Sequence, residues 1–209
     1  MSAPFSPTAL FPNTRLGEVV ETSTTSFIAE SERLHDLPEL GSLARVRGLR
    51  DGDALYGVVA HGETGGLDAG RRAVKRGTAQ FADDAVYAEH PELEYVLRTL
   101  FTCAAVGSRE HGAVRHTLPA LPAPLHFNVQ ACGLDETRIF CAAPRYLSAL
   151  LHFQGPVAAE QLVAAHLRWV DRQVDDGHVW LTDATRRLAR LMKRDYDRLV
   201  IILEAIDPH

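Results

Sequence analysis

Apolar and polar residues alternate in short stretches along the first third of the chain, and turn-forming residues separate these stretches. Leu16–Glu21 and Ser26–Ala29 mix β-branched, apolar and polar residues, whereas Ala54–Ala60 is almost wholly apolar. Such stretches are typical of strands, and the glycine, proline and aspartate residues between them supply turn geometry. The pattern predicts strands as far as Gly77, arranged as a sandwich or a closed barrel. A barrel has the advantage of removing exposed strand edges.

The pattern changes after these strands. Residues 83–98 predict a short helical insertion, because two aspartates suit a helix N-terminus and Pro91 suits the start of a second helix. Three further strand patterns lie between Leu100 and Gln130. The segment Leu118–Pro124 interrupts them, and its three prolines predict an extended chain.

From Asp135 onwards, the spacing of apolar residues predicts helices. Pro144 and Gly155-Pro156 separate the first helices, and a long helix is predicted over Val157–Asp175. One last helix is predicted from Thr182 or Asp183 to about Ile206. Its predicted buried face consists of Leu188, Met192, Tyr196, Leu199, Leu203 and Ile206.

These patterns together predict an α+β chain in three parts. Residues 1–14, with three prolines, are expected to be a flexible tail. Residues 15–132 are expected to form a β-rich part, a sandwich or a closed barrel, that contains the helical insertion. Residues 133–209 are expected to form an α-helical C-terminal region.

Composition restricts the possible functions. The chain has 209 residues, of which 46% are hydrophobic and 23% are charged, and these values are ordinary for a globular protein. A net charge of -5 argues against a protein that coats nucleic acid through bulk charge. The three cysteines form no CxxC pair and lie in apolar contexts, which favours buried, reduced thiols. No secretion-signal pattern and no apolar run of about 20 residues occurs, so a cytoplasmic protein without a membrane segment is expected.

Several short motifs occur in a fixed order along the chain. They are Gly17–Glu21, Ser23–Thr25, Gly41-Ser42, Tyr56–Val59, Glu63–Gly65 and Gly70–Arg72, followed more loosely by Leu97–Thr99, Val106-Gly107 and Leu118–Pro124. This series resembles the HAS-barrel, the small β-barrel shared by HerA-type DNA translocases and the amino-terminal ends of rotary ATP synthase subunits. The resemblance extends to about Asn128 and covers a little over half of the chain. It implies that residues 15–132 form a small closed β-barrel of the HAS type.

The resemblance implies a function in assembly. In the related motors, HAS-barrels lie at the ends of rings and precede an ATPase domain. This sequence contains no G-x-x-x-x-G-K-[ST] motif, so no ATP hydrolysis is expected. The implied function is that of a non-catalytic accessory protein, which docks to a HerA-type hexameric translocase, a NurA-type nuclease, or both, in DNA end processing and repair.

Motifs for catalysis or for metal binding are also missing from the sequence. None of the ten histidines forms an H-x-H or H-E-x-x-H motif, and no G-x-S-x-G elbow occurs. No catalytic residue, cofactor or metal site is therefore expected.

Two basic clusters are the remaining candidates for a binding site. The candidate interface at the end of the barrel stretch consists of Arg71, Arg72, Lys75 and Arg76. The candidate nucleic-acid or partner contact, at helical spacing on the last helix, consists of Arg187, Arg190, Arg194 and Arg198. Each cluster has an alternative interpretation as a solvated face. The second cluster supports the alternative function of direct DNA binding, in which cations contact phosphates.

Overall fold

The computed structural model of the chain describes residues 14–67, 73–78, 83–174 and 176–207. Apart from Thr14, the predicted tail lies outside the described residues, so its flexibility remains a prediction.

Seven strands form one antiparallel sheet. They are β1 (Arg15–Thr22), β2 (Ser26–Ser31), β3 (Leu43–Arg47), β4 (Ala54–Gly66), β5 (Leu97–Glu110), β6 (Ala113–Arg115) and β7 (Asn128–Ala131). Their order is β2-β1-β7-β3-β4-β5-β6, and β2 also pairs with β5, from Ser26 opposite Ala104 to Glu30 opposite Leu100. The hydrogen bonding therefore runs around a ring of six strands, and β6 pairs with the far end of β5.

One apolar cluster occupies the interior of this ring. Because side chains alternate between the two faces of a strand, every second residue contributes to the cluster. Its buried members are Val19, Phe27, Ala29, Ala44, Val46, Val59, Phe101, Cys103, Ala123 and Val129. Gly57 leaves room for them, because a Cβ there would lie 2.7 Å from the Phe27 ring. The ring thus encloses a packed core.

The described residues form seven α-helices. They are α1 (Ala85–Glu89), α2 (Leu93–Val96), α3 (Leu134–Cys141), α4 (Leu147–Leu151), α5 (Ala159–Val174), α6 (Val179–Leu191) and α7 (Tyr196–Ile206). A 3-10 helix, Pro144–Tyr146, precedes α4. Helices α3–α7 and the outer faces of β3–β5 share a second core, in which Tyr56, Phe140, Tyr146 and Leu167 are fully buried. The strands and the C-terminal helices are therefore packed against each other.

The expected combination of an antiparallel β-sheet with helices is confirmed, and so is the helical insertion between β4 and β5. The prediction of strands as far as Gly77 is wrong, because β4 ends at Gly66 and residues 73–78 form no strand.

The prediction of a single last helix is also wrong. Met192–Asp195 interrupt it, and Asp195 has the non-helical φ of -137°. The interruption allows α7 to turn back against α5, where Leu199 and Ile202 are buried. Tyr196 and Leu203, which were expected in the buried face, are exposed.

Candidate interaction surfaces

A two-stranded arm extends from one end of the ring. Strand β3 pairs with β4 from Ala54 only as far as Val58, and β2 pairs with β5 only as far as Leu100. Strands β4 and β5 continue beyond these points, until Gly66 lies opposite Leu97. We call residues 63–66 and 97–100 the arm. The arm holds α1 and α2 beyond the rim of the ring.

A pocket of about 630 Å³ lies between the arm and the two short helices. We call it the arm groove. Its lining includes Leu67, Val74, Tyr87 and Val96, all of which are exposed large hydrophobic residues. Val74 is the most exposed of these four residues, at 75%. Because neighbouring exposed apolar residues of this kind mark binding surfaces more often than isolated ones do, the arm groove is a candidate docking site.

The first basic cluster borders this groove. Arg76 lines it, and its Nη1 lies 3.4 Å from Glu92 Oε1. Lys75 is exposed and forms no ion pair with the residues that the structure describes. Arg71 and Arg72 lie outside the described residues. Lys75 and Arg76, the two described residues of the predicted interface, therefore lie beside an apolar surface. The sequence pattern did not indicate this surface.

His35 connects the arm and α1 to the rest of the ring. Its backbone N–H donates to Thr99 Oγ1 at 2.8 Å, and its Nε2 lies 2.5 Å from the Tyr87 hydroxyl. Thr99 is also hydrogen-bonded to Thr64 across the arm, at 2.8 Å. His35 has a φ of +64°, so the chain turns sharply where it makes these contacts. The arm groove is therefore fixed to the ring at its base.

The second basic cluster is divided between different environments. Arg187 is half-buried on α6, Arg190 is exposed on the same helix, and Arg194 is exposed in the turn before α7. Arg198 on α7 forms ion pairs with Glu160 on α5 and with Asp195. The four arginines therefore do not form one continuous helical face.

A buried ionic cluster connects the sheet to α3, and no motif in the sequence predicts it. Glu136 is only 2% exposed, and its Oε1 accepts a hydrogen bond of 2.8 Å from the Tyr56 hydroxyl. Arg45 Nε lies 3.1 Å from Oε2, and Arg109 Nη1 lies 3.8 Å from Oε1. Burial, together with the negative charge of Glu136, raises the pKa of Tyr56. The hydroxyl therefore stays protonated and serves as a donor to the carboxylate.

A second buried polar contact joins α5 to the connection before β3. His166 is fully buried, and its Nδ1 lies 2.6 Å from the Gly41 carbonyl oxygen. Since a carbonyl oxygen only accepts, Nδ1 carries the proton and Nε2 accepts from the Tyr146 hydroxyl at 2.8 Å. Burial lowers the pKa of His166 from its ordinary value of 6.5 to about 4.

This lowered pKa predicts a loss of stability in mild acid. Between pH 6.5 and about 4, the unfolded chain binds a proton at His166 that the folded protein does not bind. The free energy of unfolding should therefore fall by up to about 3 kcal/mol as the pH decreases through this range. Urea unfolding at a series of pH values should show this slope, and His166→Gln should reduce it. Equal slopes of unfolding free energy against pH in wild type and His166→Gln would contradict the assignment.

The described residues bring together no group of three or more His, Cys, Asp or Glu side chains that could hold a metal ion. None of the helices in the described ranges has both the length and the apolar character needed to cross a bilayer.

No family model and no curated protein matches this chain.

Proposed function

We propose that this chain is a non-catalytic adaptor of the cytoplasm, in which the ring of strands is a HAS-type barrel. It docks to a HerA-type hexameric translocase, a NurA-type nuclease, or both, in DNA end processing and repair. The observation that carries the proposal is a ring of six antiparallel strands, in a chain whose sequence has no P-loop. A ring of strands in a sequence without a P-loop fits a part that binds other proteins.

The positions of the motifs support this interpretation. Gly17–Glu21 lies in β1, Ser23–Thr25 forms the turn to β2, and Tyr56–Val59 lies in β4. Two of these motifs have clear physical roles in the ring. Ser23 Oγ accepts hydrogen bonds from the backbone N–H groups of the turn, and a Cβ on Gly17 would lie 2.1 Å from the Glu30 carbonyl oxygen. The residues of these two motifs thus help to shape the ring.

The arm groove is the docking face in this proposal. It combines exposed apolar side chains with a charged border, on which Lys75 has no ion pair with a described residue and Arg76 is paired with Glu92, and Asp83 also lines the groove. Apolar area supplies most of the free energy of association, and the cations favour a partner surface with acidic residues around an apolar centre. A partner segment with that chemistry fits the groove.

The proposal predicts a complex that charge reversal at the arm weakens. The double variant Lys75→Glu with Arg76→Glu should weaken binding to the cognate translocase or nuclease by about tenfold or more, because it turns attraction into repulsion. Size-exclusion chromatography and calorimetry with the purified proteins measure this effect.

The matched control is Arg190→Glu with Arg194→Glu, which makes the same change in charge on exposed residues of the C-terminal part. This control should bind like wild type. If wild type forms no complex with either protein, the adaptor function is wrong. If both double variants bind equally well, the complex forms without the arm, and only the placement of the docking face is wrong.

A further inference from the structure

The end of the chain concentrates positive charge. Residues 183–198 contain six cations and three carboxylates, a net charge of +3, so the remaining residues carry -8 of the chain's total of -5. Two of the six cations are engaged in ion pairs: Arg186 with Asp183, and Arg198 with Glu160 and Asp195. A third, Arg187, is half-buried.

Three cations of this segment are exposed and have no ion pair with a described residue. They are Arg190 near the end of α6, and Lys193 and Arg194 in the turn that joins α6 to α7. Neutralised cations add little to the binding of an anion, whereas these three are available for it. The structure thereby separates them from the arginines that stabilise the fold.

An exposed aromatic ring lies next to these cations in the chain. Tyr196 is the first residue of α7 and is 71% exposed, because the interruption of the last helix turns it away from the core. A continuous helix would have placed it among the buried residues. An exposed ring offers a flat face on which a nucleic-acid base can stack.

We propose that Arg190, Lys193, Arg194 and Tyr196, here called the junction surface, bind single-stranded nucleic acid. The cations contact successive phosphates, and Tyr196 stacks on an unpaired base. Stacking requires a base that is not already enclosed in a duplex, so the ring favours single strands over double strands. An acidic protein segment would use the cations but would gain less from the exposed ring.

The neighbouring carboxylates leave the surface positive. Asp195 is bound to Arg198, and Asp183 is bound to Arg186. Asp197, in the first turn of α7, is the remaining carboxylate of the segment and is exposed. Within residues 183–198, three cations and one carboxylate are thus exposed without an ion pair to a described residue. This function is independent of docking through the arm groove.

The test is fluorescence anisotropy with labelled oligothymidylate and the full chain, over a series of salt concentrations. Tyr196→Leu should weaken binding by about tenfold, within the range expected for one stacked base, and Tyr196→Phe should bind like wild type. Arg190→Gln with Arg194→Gln should lower the slope of log affinity against log salt by about 1.4, since each single-strand phosphate contact contributes about 0.7. Lys75→Gln with Arg76→Gln is the matched control and should change neither quantity.

Competitors decide between the alternative ligands. Unlabelled oligouridylate shows whether RNA serves as well as DNA, and both results agree with the proposal. Equal competition by a duplex of the same length would overturn the preference for single strands. Absence of binding at low salt would overturn the proposal, as would equal affinity of Tyr196→Leu and wild type. Competition by polyglutamate as strong as that by the oligonucleotide would show a general anion surface and would also overturn it.

Discussion

Replacing Gly41 by alanine is expected to destabilise the protein by about 2–5 kcal/mol, which is a large part of the stability of an ordinary domain. Gly41 has a φ of +86°, where a side chain is strained. A Cβ at this position would also lie 2.5 Å from the backbone nitrogen of His166 and 2.6 Å from the carbonyl carbon of Ala165. Helix α5 would have to move away from the sheet, and the hydrogen bond between Gly41 and His166 would be lost.

Gly52 provides the matched control for this substitution. Its φ is +81°, but a Cβ there would meet no atom within 4 Å. Gly52→Ala therefore carries the backbone strain of about 1 kcal/mol without the clash. The difference between the urea-unfolding midpoints of Gly41→Ala and Gly52→Ala measures how much the close packing of α5 on the connection before β3 contributes to stability. Equal midpoints would mean that α5 does not pack as closely on Gly41 as the structure shows.

The strands of the ring were predictable from local patterns, but its closure was not. Alternation along β1 and the apolar run in β4 are visible in the sequence because they depend on neighbouring residues. The pairing of Ser26–Glu30 with Leu100–Ala104 closes the ring across about 70 intervening residues, and no local pattern reports it. The resemblance to a barrel family supplied the expectation of closure, which the hydrogen bonding of the sheet agrees with.

The interruption of the last helix was missed for a related reason. Met192–Asp195 contain neither proline nor glycine, so helix propensity gives no reason to stop there. Distant contacts hold α7 in its place: Leu199 and Ile202 are buried, and Arg198 is paired with Glu160 on α5. The exposure of Tyr196, on which the junction surface depends, follows from these contacts and is invisible in a helical pattern.

The buried ionic cluster left a weak signal in the sequence. Arg45 stands between Ala44 and Val46 within β3, and a cation in such a place needs a partner. Arg109, which is flanked by Ser108 and Glu110, gives no such signal. Glu136 looks like an ordinary acidic residue at a helix N-terminus. Only the packing of α3 on the outer face of the sheet shows that these charges meet.

Removing the carboxylate of that cluster should have an effect comparable to that of Gly41→Ala. Glu136→Ala removes the buried carboxylate that lies 3.1 Å from Arg45 Nε and that accepts the hydrogen bond of the Tyr56 hydroxyl, and a loss of about 3–5 kcal/mol is expected. Urea unfolding measures it as a lower midpoint at an unchanged slope. Asp51→Ala is the control, because the Arg47–Asp51 pair lies in solvent and should contribute less than about 1 kcal/mol.

A double variant distinguishes a missing partner from a cavity. Arg45→Met combined with Glu136→Leu removes the two most buried charges of the cluster and restores apolar volume, while Arg109 keeps its hydrogen bond to the Gly52 carbonyl oxygen. The double variant should therefore be more stable than Glu136→Ala alone. The loss in Glu136→Ala then comes mainly from an uncompensated charge rather than from lost packing. If Glu136→Ala costs no more than Asp51→Ala, the carboxylate is accessible to water, and α3 is not held to the sheet by this cluster.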